Sequence, residues 1–144
     1  LESLKEFGKS SGILIASSDK AYGELIRDSY SEDHPLNGVY PYDASKSAAE
    51  IVAKSYQLTF KLPIVITRAC NIYGIGDFNH NRLLPGIINA HTNNKIFELR
   101  NSGEDIREYI HVDDVVEAYL SIMEYVSSGG RKNIFNIKFR IIIK

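Results

Sequence analysis

The stretch GILIASSDKAYG (residues 12–23) joins a short apolar run to a cluster of polar side chains. Its first half is continuous and rich in branched apolar residues, which is typical of a strand buried on both faces of a parallel sheet. Its second half brings two hydroxyls, a carboxylate and an ammonium to the end of that strand. Ligands of open parallel sheets bind beyond the carboxyl ends of the strands. The stretch therefore predicts a parallel sheet and the position of a site.

The rest of the chain alternates between helix and strand patterns. Apolar residues at helical spacing predict helices at 1–9, 42–60, 82–92 and from Asp113 or Asp114 to about Ser127. Short apolar runs predict strands at 12–17, 63–67 and 133–137, and one more at 96–99. Polar segments rich in Gly, Asn, Asp and Pro predict loops at 24–41 and 71–81. This order predicts an α/β fold, a parallel sheet with covering helices.

Two of these helices carry apolar stripes. On the helix at 42–60 the stripe consists of Ala44, Ala48, Ile51, Val52, Ser55 and Tyr56. On the helix that ends near Ser127 the predicted core face consists of Val115, Val116, Tyr119, Leu120 and Met123.

The composition is that of a soluble globular protein. Of the 144 residues 44% are apolar and 24% are charged, and the formal net charge is −1. Such a chain can build one hydrophobic core, and it offers no basic surface for nucleic acid or anionic lipid. No apolar run approaches the ~20 residues of a membrane span. The single cysteine, Cys70, fits a reducing compartment, so we expect a cytoplasmic protein.

Tyr42 and Lys46 form a chemical pair that follows the first strand. Because they are four residues apart on a helix, their side chains lie on one face. A phenol ordinarily has a pKa near 10, and lowering it by ~3 units with a neighbouring ammonium takes ~4 kcal/mol. With a serine at a strand end, such a pair can take a proton from an alcohol while a hydride leaves its carbon. The alternative is a pair that only decorates a solvated helix face.

Six segments together resemble one family, the extended short-chain dehydrogenase/reductases that act as NAD-dependent nucleotide-sugar epimerases and dehydratases. The matching segments are SSDKAYG (17–23), YPYDASKSAAE (40–50), PIVITRACNIYGIGD (63–77), RLLPGIINA (82–90), IREYIHVDDVVEAYL (106–120) and NIFNI (133–137). The resemblance implies a Rossmann-like sheet, with Ser18 as the hydroxyl of a catalytic trio. It also implies Tyr42 as the acid/base, and Lys46 as the partner that holds the nicotinamide ribose.

Asp19 and Lys20 decide between branches of this family. The resemblance implies two ionisable residues after the serine in 4,6-dehydratases and small or apolar residues in epimerases, and an Asp-Lys pair is similar to the CDP-glucose 4,6-dehydratase type. Elimination of water after oxidation at sugar carbon 4 needs an acid and a base. Asp19 would be the acid and would need a raised pKa, whereas Lys20 could be the base only if burial keeps it neutral. The alternatives are a 4-epimerase or reductase, and an exposed Asp/Lys ion pair.

The resemblance also implies how cofactor and substrate are held. Ala69 or Cys70 would lie near the nicotinamide, and Asn71, Arg82 and Arg107 near the nucleotide diphosphate. For Arg107 the alternative is a surface ion pair with Glu104, Asp105 or Glu108. The G-x-G at 74–76 lacks a third glycine, because position 79 is Asn, and no metal-ligand spacing links the four histidines. We therefore expect neither a dinucleotide fingerprint at that loop nor a metal site.

The family's glycine-rich NAD-binding segment has no match here, so we expect residues 1–144 to be a single incomplete domain. Residues 1–70 and 111–137 would be the C-terminal part of the Rossmann core, 71–110 part of a small substrate-binding lobe, and 138–144 an atypical tail. We expect NAD as cofactor, with NADP open, and a nucleotide-diphosphate sugar as partner. The intact enzyme is expected to be a homodimer. The isolated chain is expected to self-associate, and a non-catalytic fragment is the alternative.

Overall fold

The structure, a computed structural model, describes residues 1–7, 10–24, 30–100, 102–104, 107–138 and 141–143. Its helices are α1 (Glu2–Phe7), α2 (Pro41–Phe60), α3 (Leu83–Thr92) and α4 (Val112–Ser127), and a 3₁₀ turn spans Asp19–Tyr22. Its strands are β1 (Ile13–Ser18), β2 (Ile64–Ala69), β3 (Asn71–Tyr73), β4 (Arg107–His111), β5 (Ile134–Ile137) and β6 (Ile141–Ile143). Gly8 and Lys9, which complete the predicted first helix, lie outside the described residues.

The first sheet has the strand order β1-β2-β5, and both pairings are parallel. Ile13 pairs with Ile64, and Ile66 pairs with Ile134. All six residues of the central strand β2 are buried, because helices cover both faces of the sheet. The prediction of a parallel sheet built from these three apolar runs is confirmed.

A second sheet has the order β3-β4-β6, with β3 parallel and β6 antiparallel to β4. The prediction that 71–81 is wholly a loop is therefore wrong at its start, where β3 pairs with β4. The predicted strand at 96–99 is also wrong. The ring of Phe97 contacts α3 at Gly86 while Ile96 and Leu99 stay exposed, and no strand of the described residues pairs with this segment.

The core lies on both faces of the first sheet. On one face Val65, Ala69 and Ile137 pack with Val115 and Ile122 of α4, and on the other Ile13, Ile64 and Ile66 pack with Ala53 of α2. The predicted core face of α4 is correct for Val115, Tyr119 and Met123. It is wrong for Val116 and Leu120, whose side chains are 49% and 67% exposed.

Helix α2 turns a different face to the sheet than its apolar stripe predicted. Ile51 and Val52 are exposed, whereas Asp43, Glu50 and Ala53 are buried. Burial of Glu50 is possible because Arg68 of β2 neutralises it, so an ion pair occupies the position where the sequence pattern favoured an apolar residue.

Local residues determine where the helices begin. Pro41 begins α2, where its missing N–H leaves no bond unmade, one residue before the predicted start. His111 caps α4, because its Nδ1 accepts a 3.2 Å hydrogen bond from the backbone N–H of Asp113. The helix therefore begins at Val112, one or two residues before its predicted start at Asp113 or Asp114. Pro85 lies in the first turn of α3, where a proline is tolerated.

Candidate functional site

A cleft of about 450 Å³ opens at the carboxyl ends of β1 and β2. It lies between the start of α2, strand β3 and the start of α3. Seven predicted site residues line it, namely Ser18, Lys20, Tyr42, Ala69, Cys70, Asn71 and Arg82. Residues from separate segments of the chain thus meet at the sheet edge where parallel strands place their ligands. Asp19, Lys46 and Arg107 lie outside this lining.

Lys46 lies one helical turn after Tyr42 on α2. Its Nζ is 5.7 Å from the centroid of the Tyr42 ring and donates a 3.4 Å hydrogen bond to the carbonyl oxygen of Ala16 in β1. The ammonium therefore connects α2 to the strand that carries Ser18. Tyr42 is 57% exposed and lines the cleft.

Ser18 ends β1 and caps the 3₁₀ turn. Its Oγ accepts a 3.3 Å hydrogen bond from the backbone N–H of Lys20 and donates one of 3.0 Å to Oδ1 of Asp19. The hydroxyl thus lines the cleft and also holds the carboxyl group of the neighbouring residue.

Asp19 lines a smaller pocket that adjoins the cleft at Cys70, a residue that lines both. Burial raises the pKa of the Asp19 carboxyl above its ordinary value, against the opposing effects of the Lys20 charge and the Ser18 hydrogen bond. The positive charge of Arg107 acts in the same lowering direction as Lys20. The raised pKa has the sign that an acid at this position needs.

The predicted diphosphate-binding residues divide into two places. The Asn71 side chain donates a 2.9 Å hydrogen bond to the carbonyl oxygen of Glu108 and lines the cleft. Arg82 lies at the rim, where its Nη1 is 3.2 Å from Oδ2 of Asp77. Arg107 lies in β4, close enough to Asp19 to influence its titration but outside the cleft lining.

Sequence reasoning missed several polar residues of the cleft. The Oγ of Ser17 is a buried oxygen with no hydrogen-bond partner among the described residues. The carboxyl-bearing residue Asp43, in the first turn of α2, is also buried and lines the cleft. Ser17 precedes Ser18 in the chain and Asp43 follows Tyr42. These neighbouring positions are the sequence feature that could have indicated both residues.

A buried ion pair lies beneath the site and was also missed. Arg68 Nη2 is 2.7 Å from Oε2 of Glu50, and Arg68 Nε donates to both carboxylate oxygens at 3.0 and 3.1 Å. The Arg68 and Glu50 side chains are 1% and 0% exposed. The sequence feature that could have indicated the pair is Arg68, the single charged residue of β2.

The described ranges also bear on a membrane span and on a metal site. None of their helices has the length and apolar character that crossing a bilayer requires. The same residues contain no group of three or more His, Cys, Asp or Glu side chains arranged to hold a metal ion.

Comparison with known proteins places the chain in a family. The family model described as "NAD dependent epimerase/dehydratase family" matches residues 1–137. The chain belongs to this family. The family resemblance inferred from the six segments is therefore confirmed.

Individual relatives agree with this assignment. The dTDP-D-glucose 4,6-dehydratase of Dictyostelium discoideum is 36% identical over 148 residues, which cover 95% of this chain and 33% of that protein. A crystal structure of dTDP-glucose 4,6-dehydratase from Bacillus anthracis, in complex with NAD, superposes with a TM-score of 0.81 at 28% identity, over 96% of this chain and 44% of that one. The UDP-glucuronic acid 4-epimerase of Bacillus cereus shares the fold, with a TM-score of 0.86 at 23% identity, over 99% of this chain and 44% of that one.

These relatives confirm the predicted fold class, a Rossmann-like α/β sheet. The chain spans about a third of the length of the sequence relatives it matches.

Proposed function

We propose that the protein carrying this chain is an NAD-dependent nucleotide-sugar 4,6-dehydratase. The observation that carries the proposal is the hydrogen bond of Ser18 to Asp19, a carboxyl group whose pKa burial raises, at the edge of a cleft lined by Tyr42. Alcohol oxidation and elimination of water need different proton carriers, and Tyr42 and Asp19 are candidates for the two roles at the same edge of the sheet. The 4,6-dehydratases among its relatives support the same activity.

In the oxidation step Tyr42 takes the proton of the sugar 4-hydroxyl. Ser18 donates a hydrogen bond to the same sugar oxygen, and Lys46 stabilises the phenolate form of Tyr42 that accepts this proton. The ammonium is suited to this role because its bond to the Ala16 carbonyl oxygen fixes it beside Tyr42.

In the elimination step Asp19 donates a proton to the departing 6-hydroxyl. The ketone at carbon 4 has by then acidified the proton on carbon 5, which Lys20 accepts. Lys20 lines the cleft, whereas Asp19 lines the adjoining pocket, which shares Cys70 with the cleft. The hydride returns to carbon 6 and protonated Lys20 gives its proton back to carbon 5, so the sugar loses one water and undergoes no net oxidation.

The cleft residues fit the nicotinamide end of the cofactor. Ala69 and Cys70 provide a buried, largely apolar wall, and the Ser17 hydroxyl beside it, which bonds to no described residue, can bond a carboxamide group. Tyr42 and Lys46 lie where they can hold the ribose hydroxyls. NAD would supply the hydride acceptor for carbon 4 and the hydride donor for carbon 6.

The nucleotide diphosphate is assigned to the side of the cleft formed by Asn71 and Arg82. Arginine binds diphosphate oxygens bidentately, and Arg82 can exchange its exposed bond with Asp77 for such a contact. We assign Arg107 to the same nucleotide-diphosphate end, as the resemblance implies. The dTDP-D-glucose 4,6-dehydratases among the relatives support dTDP-glucose as the first substrate to test. The Asp19–Lys20 pair favours CDP-glucose instead.

A second candidate function is a nucleotide-sugar 4-epimerase or reductase. The observation that favours it is that Asp19 lies outside the cleft lining. Such an enzyme needs Ser18, Tyr42 and Lys46 but no elimination acid.

The experiment uses the gene product that contains this sequence, incubated with NAD or NADP and with dTDP-, UDP- and CDP-glucose in parallel. Mass spectrometry of the sugar nucleotide should show the loss of one water. An unchanged mass with an inverted configuration at carbon 4 would support the epimerase, and no conversion would contradict both the dehydratase and the epimerase.

We also propose a cytoplasmic homodimer that pairs through the exposed stripe of α2, in which Ile51 and Val52 face solvent. Light scattering should give twice the subunit mass, and Ile51→Glu should halve it. A wild-type monomer would contradict the proposal.

A further inference from the structure

The small pocket next to the cleft encloses the Asp19 carboxyl group. Its volume of about 10 Å³ is close to the least that a single water molecule needs. It is lined by residues of the 3₁₀ turn, the loop that follows, and the ends of β2, β4 and β5, namely Asp19, Tyr22, Tyr30, Arg68, Cys70, Glu108, Asn136 and Lys138.

Two aromatic rings form a wall of this pocket. Tyr22 and Tyr30 are stacked with centroids 4.4 Å apart and planes 8° from parallel. The Tyr22 hydroxyl donates a 2.7 Å hydrogen bond to Oδ1 of Asn136, and the Tyr30 hydroxyl donates one of 2.7 Å to the carbonyl oxygen of Gly23. Each ring is therefore fixed by its hydroxyl as well as by stacking.

The buried Arg68–Glu50 pair packs against this wall through the Arg68 guanidinium. The guanidinium carbon of Arg68 is 4.5 Å from the centroid of the Tyr22 ring, and Tyr22 is only 3% exposed. Arg68 also donates from Nη1 to the carbonyl oxygen of Glu32, at 3.2 Å, so it holds the loop that carries Tyr30. One cation thus positions both rings.

Charge neutralisation is the second property of this pair. An unpaired guanidinium in the same pocket would stabilise the carboxylate form of Asp19, and the three bonds to Glu50 offset that charge. Other titratable or charged groups surround Asp19. Those that line the same pocket are Tyr22, Tyr30, Arg68, Cys70, Glu108 and Lys138. Lys20 and Arg107 act on Asp19 through their charges. Tyr30 reports the same environment, because burial and the charges of Asp19 and Asp43 raise its pKa to about 12.

We infer that the Tyr22–Tyr30 stack and the Arg68–Glu50 pair are positioning residues that shield Asp19 from water and from the uncompensated charge of the Arg68 guanidinium, and so favour the proton-donating form of its carboxyl group. None of the four needs to touch the substrate. The inference rests on the proposed dehydratase function for its catalytic meaning.

The test compares Tyr30→Leu with Tyr30→Phe in the gene product. Tyr30→Leu removes the ring that shields Asp19, whereas Tyr30→Phe removes only the hydroxyl. Elimination requires protonated Asp19, so its rate falls as pH rises through the pKa of that group. We expect Tyr30→Leu to move this fall to lower pH and to slow elimination at alkaline pH by roughly tenfold. Oxidation at carbon 4 and the Tyr30→Phe profile should stay as in the wild type.

An activity-independent readout is the ¹³C titration of the Asp19 carboxyl, assigned by its loss in Asp19→Asn. Tyr30→Leu should lower the midpoint, and Tyr30→Phe should not. A second pair of variants tests the charge. Glu50→Gln leaves the Arg68 guanidinium unpaired and should lower the midpoint of the Asp19 titration. The double variant Glu50→Leu with Arg68→Met removes both charges and should leave that midpoint unchanged. Equal midpoints in Tyr30→Leu and wild type would overturn the inference. If the wild type forms no dehydrated sugar, the proposed function fails while the titration still decides this inference.

Discussion

The Oγ of Ser18 donates a 3.0 Å hydrogen bond to Oδ1 of Asp19. One hydroxyl thereby links the residue proposed to assist alcohol oxidation with the residue proposed to donate a proton in the elimination. During oxidation the Ser18 hydroxyl would turn to the sugar oxygen, and Asp19 would lose a bond that favours its ionised form.

Replacement of Ser18 tests this link. Ser18→Ala should raise the pKa of Asp19 further, because the lost hydrogen bond lowers it in the wild type. It should also slow oxidation at carbon 4 by about 10²-fold, since one donor to the developing oxyanion is removed. Ser18→Thr keeps the hydroxyl and serves as the control in the same assays. A lower Asp19 pKa in Ser18→Ala would contradict the assigned bond.

Tyr42 and Lys46 can be changed with little effect on folding, because Tyr42 is exposed and Lys46 makes one long bond to β1. Tyr42→Phe removes the proton carrier and should reduce turnover by about 10²–10⁴-fold. Lys46→Met should reduce it similarly. Thermal unfolding provides the control, and a variant with near-wild-type turnover would exclude that residue from catalysis.

Gly23 is predicted to be essential for the turn that carries Asp19. Its φ of 78° and ψ of −152° lie in a region open almost only to glycine, and an added Cβ would lie 2.1 Å from the carbonyl oxygen of Asn37. Gly23→Ala should lower the free energy of unfolding by about 3 kcal/mol. Gly129→Ala is the matched control, because φ is also positive there but the space is open, and about 1–2 kcal/mol is expected. Urea denaturation that gives equal losses would contradict the close approach.

The Glu50–Arg68 pair gives a stability prediction of its own. Glu50→Gln leaves a buried guanidinium without its counter-charge and should lower the free energy of unfolding by about 3–5 kcal/mol. Glu50→Leu combined with Arg68→Met removes both charges and should restore most of that loss. Chemical denaturation of the two variants beside the wild type makes the comparison. A double variant as unstable as Glu50→Gln would show that the ion pair, and not only the unpaired charge, supports the fold.

The sequence predicted the parts of the fold that local patterns determine. Continuous apolar runs identified β1, β2 and β5, and the spacing of Tyr42 and Lys46 identified the helix face that lies beside Ser18. The second sheet was not predicted because β3 has only three residues and β4 begins with two charged residues, Arg107 and Glu108, so neither forms an apolar run.

Buried polar groups account for the remaining differences. The apolar stripe of α2 indicated the wrong face because Glu50, a charged residue, occupies the core side opposite Arg68. The pocket around Asp19 combines residues that are up to 119 positions apart, from Asp19 to Lys138, and no local pattern brings them together. Contacts of this kind depend on tertiary packing.

Asp19→Asn separates the two halves of the proposed reaction. The amide cannot donate a full proton to the departing hydroxyl, so elimination should fall by about 10²–10⁴-fold. Oxidation at carbon 4 should continue, because Ser18, Tyr42 and Lys46 are intact. Exchange of the carbon 5 proton with deuterium from solvent measures the ketone intermediate. An equal loss of exchange and elimination would contradict the division of roles.

The most direct test of the proposed dehydratase is the fate of the hydrogen on sugar carbon 4. The gene product is incubated with NAD and with dTDP-glucose that carries deuterium at that carbon, and the sugar is analysed by NMR and mass spectrometry. A 4,6-dehydratase should give a 4-keto-6-deoxy sugar, one water lighter, with the deuterium in the carbon 6 methyl group. Deuterium retained at carbon 4 in a sugar of unchanged mass would contradict the proposal.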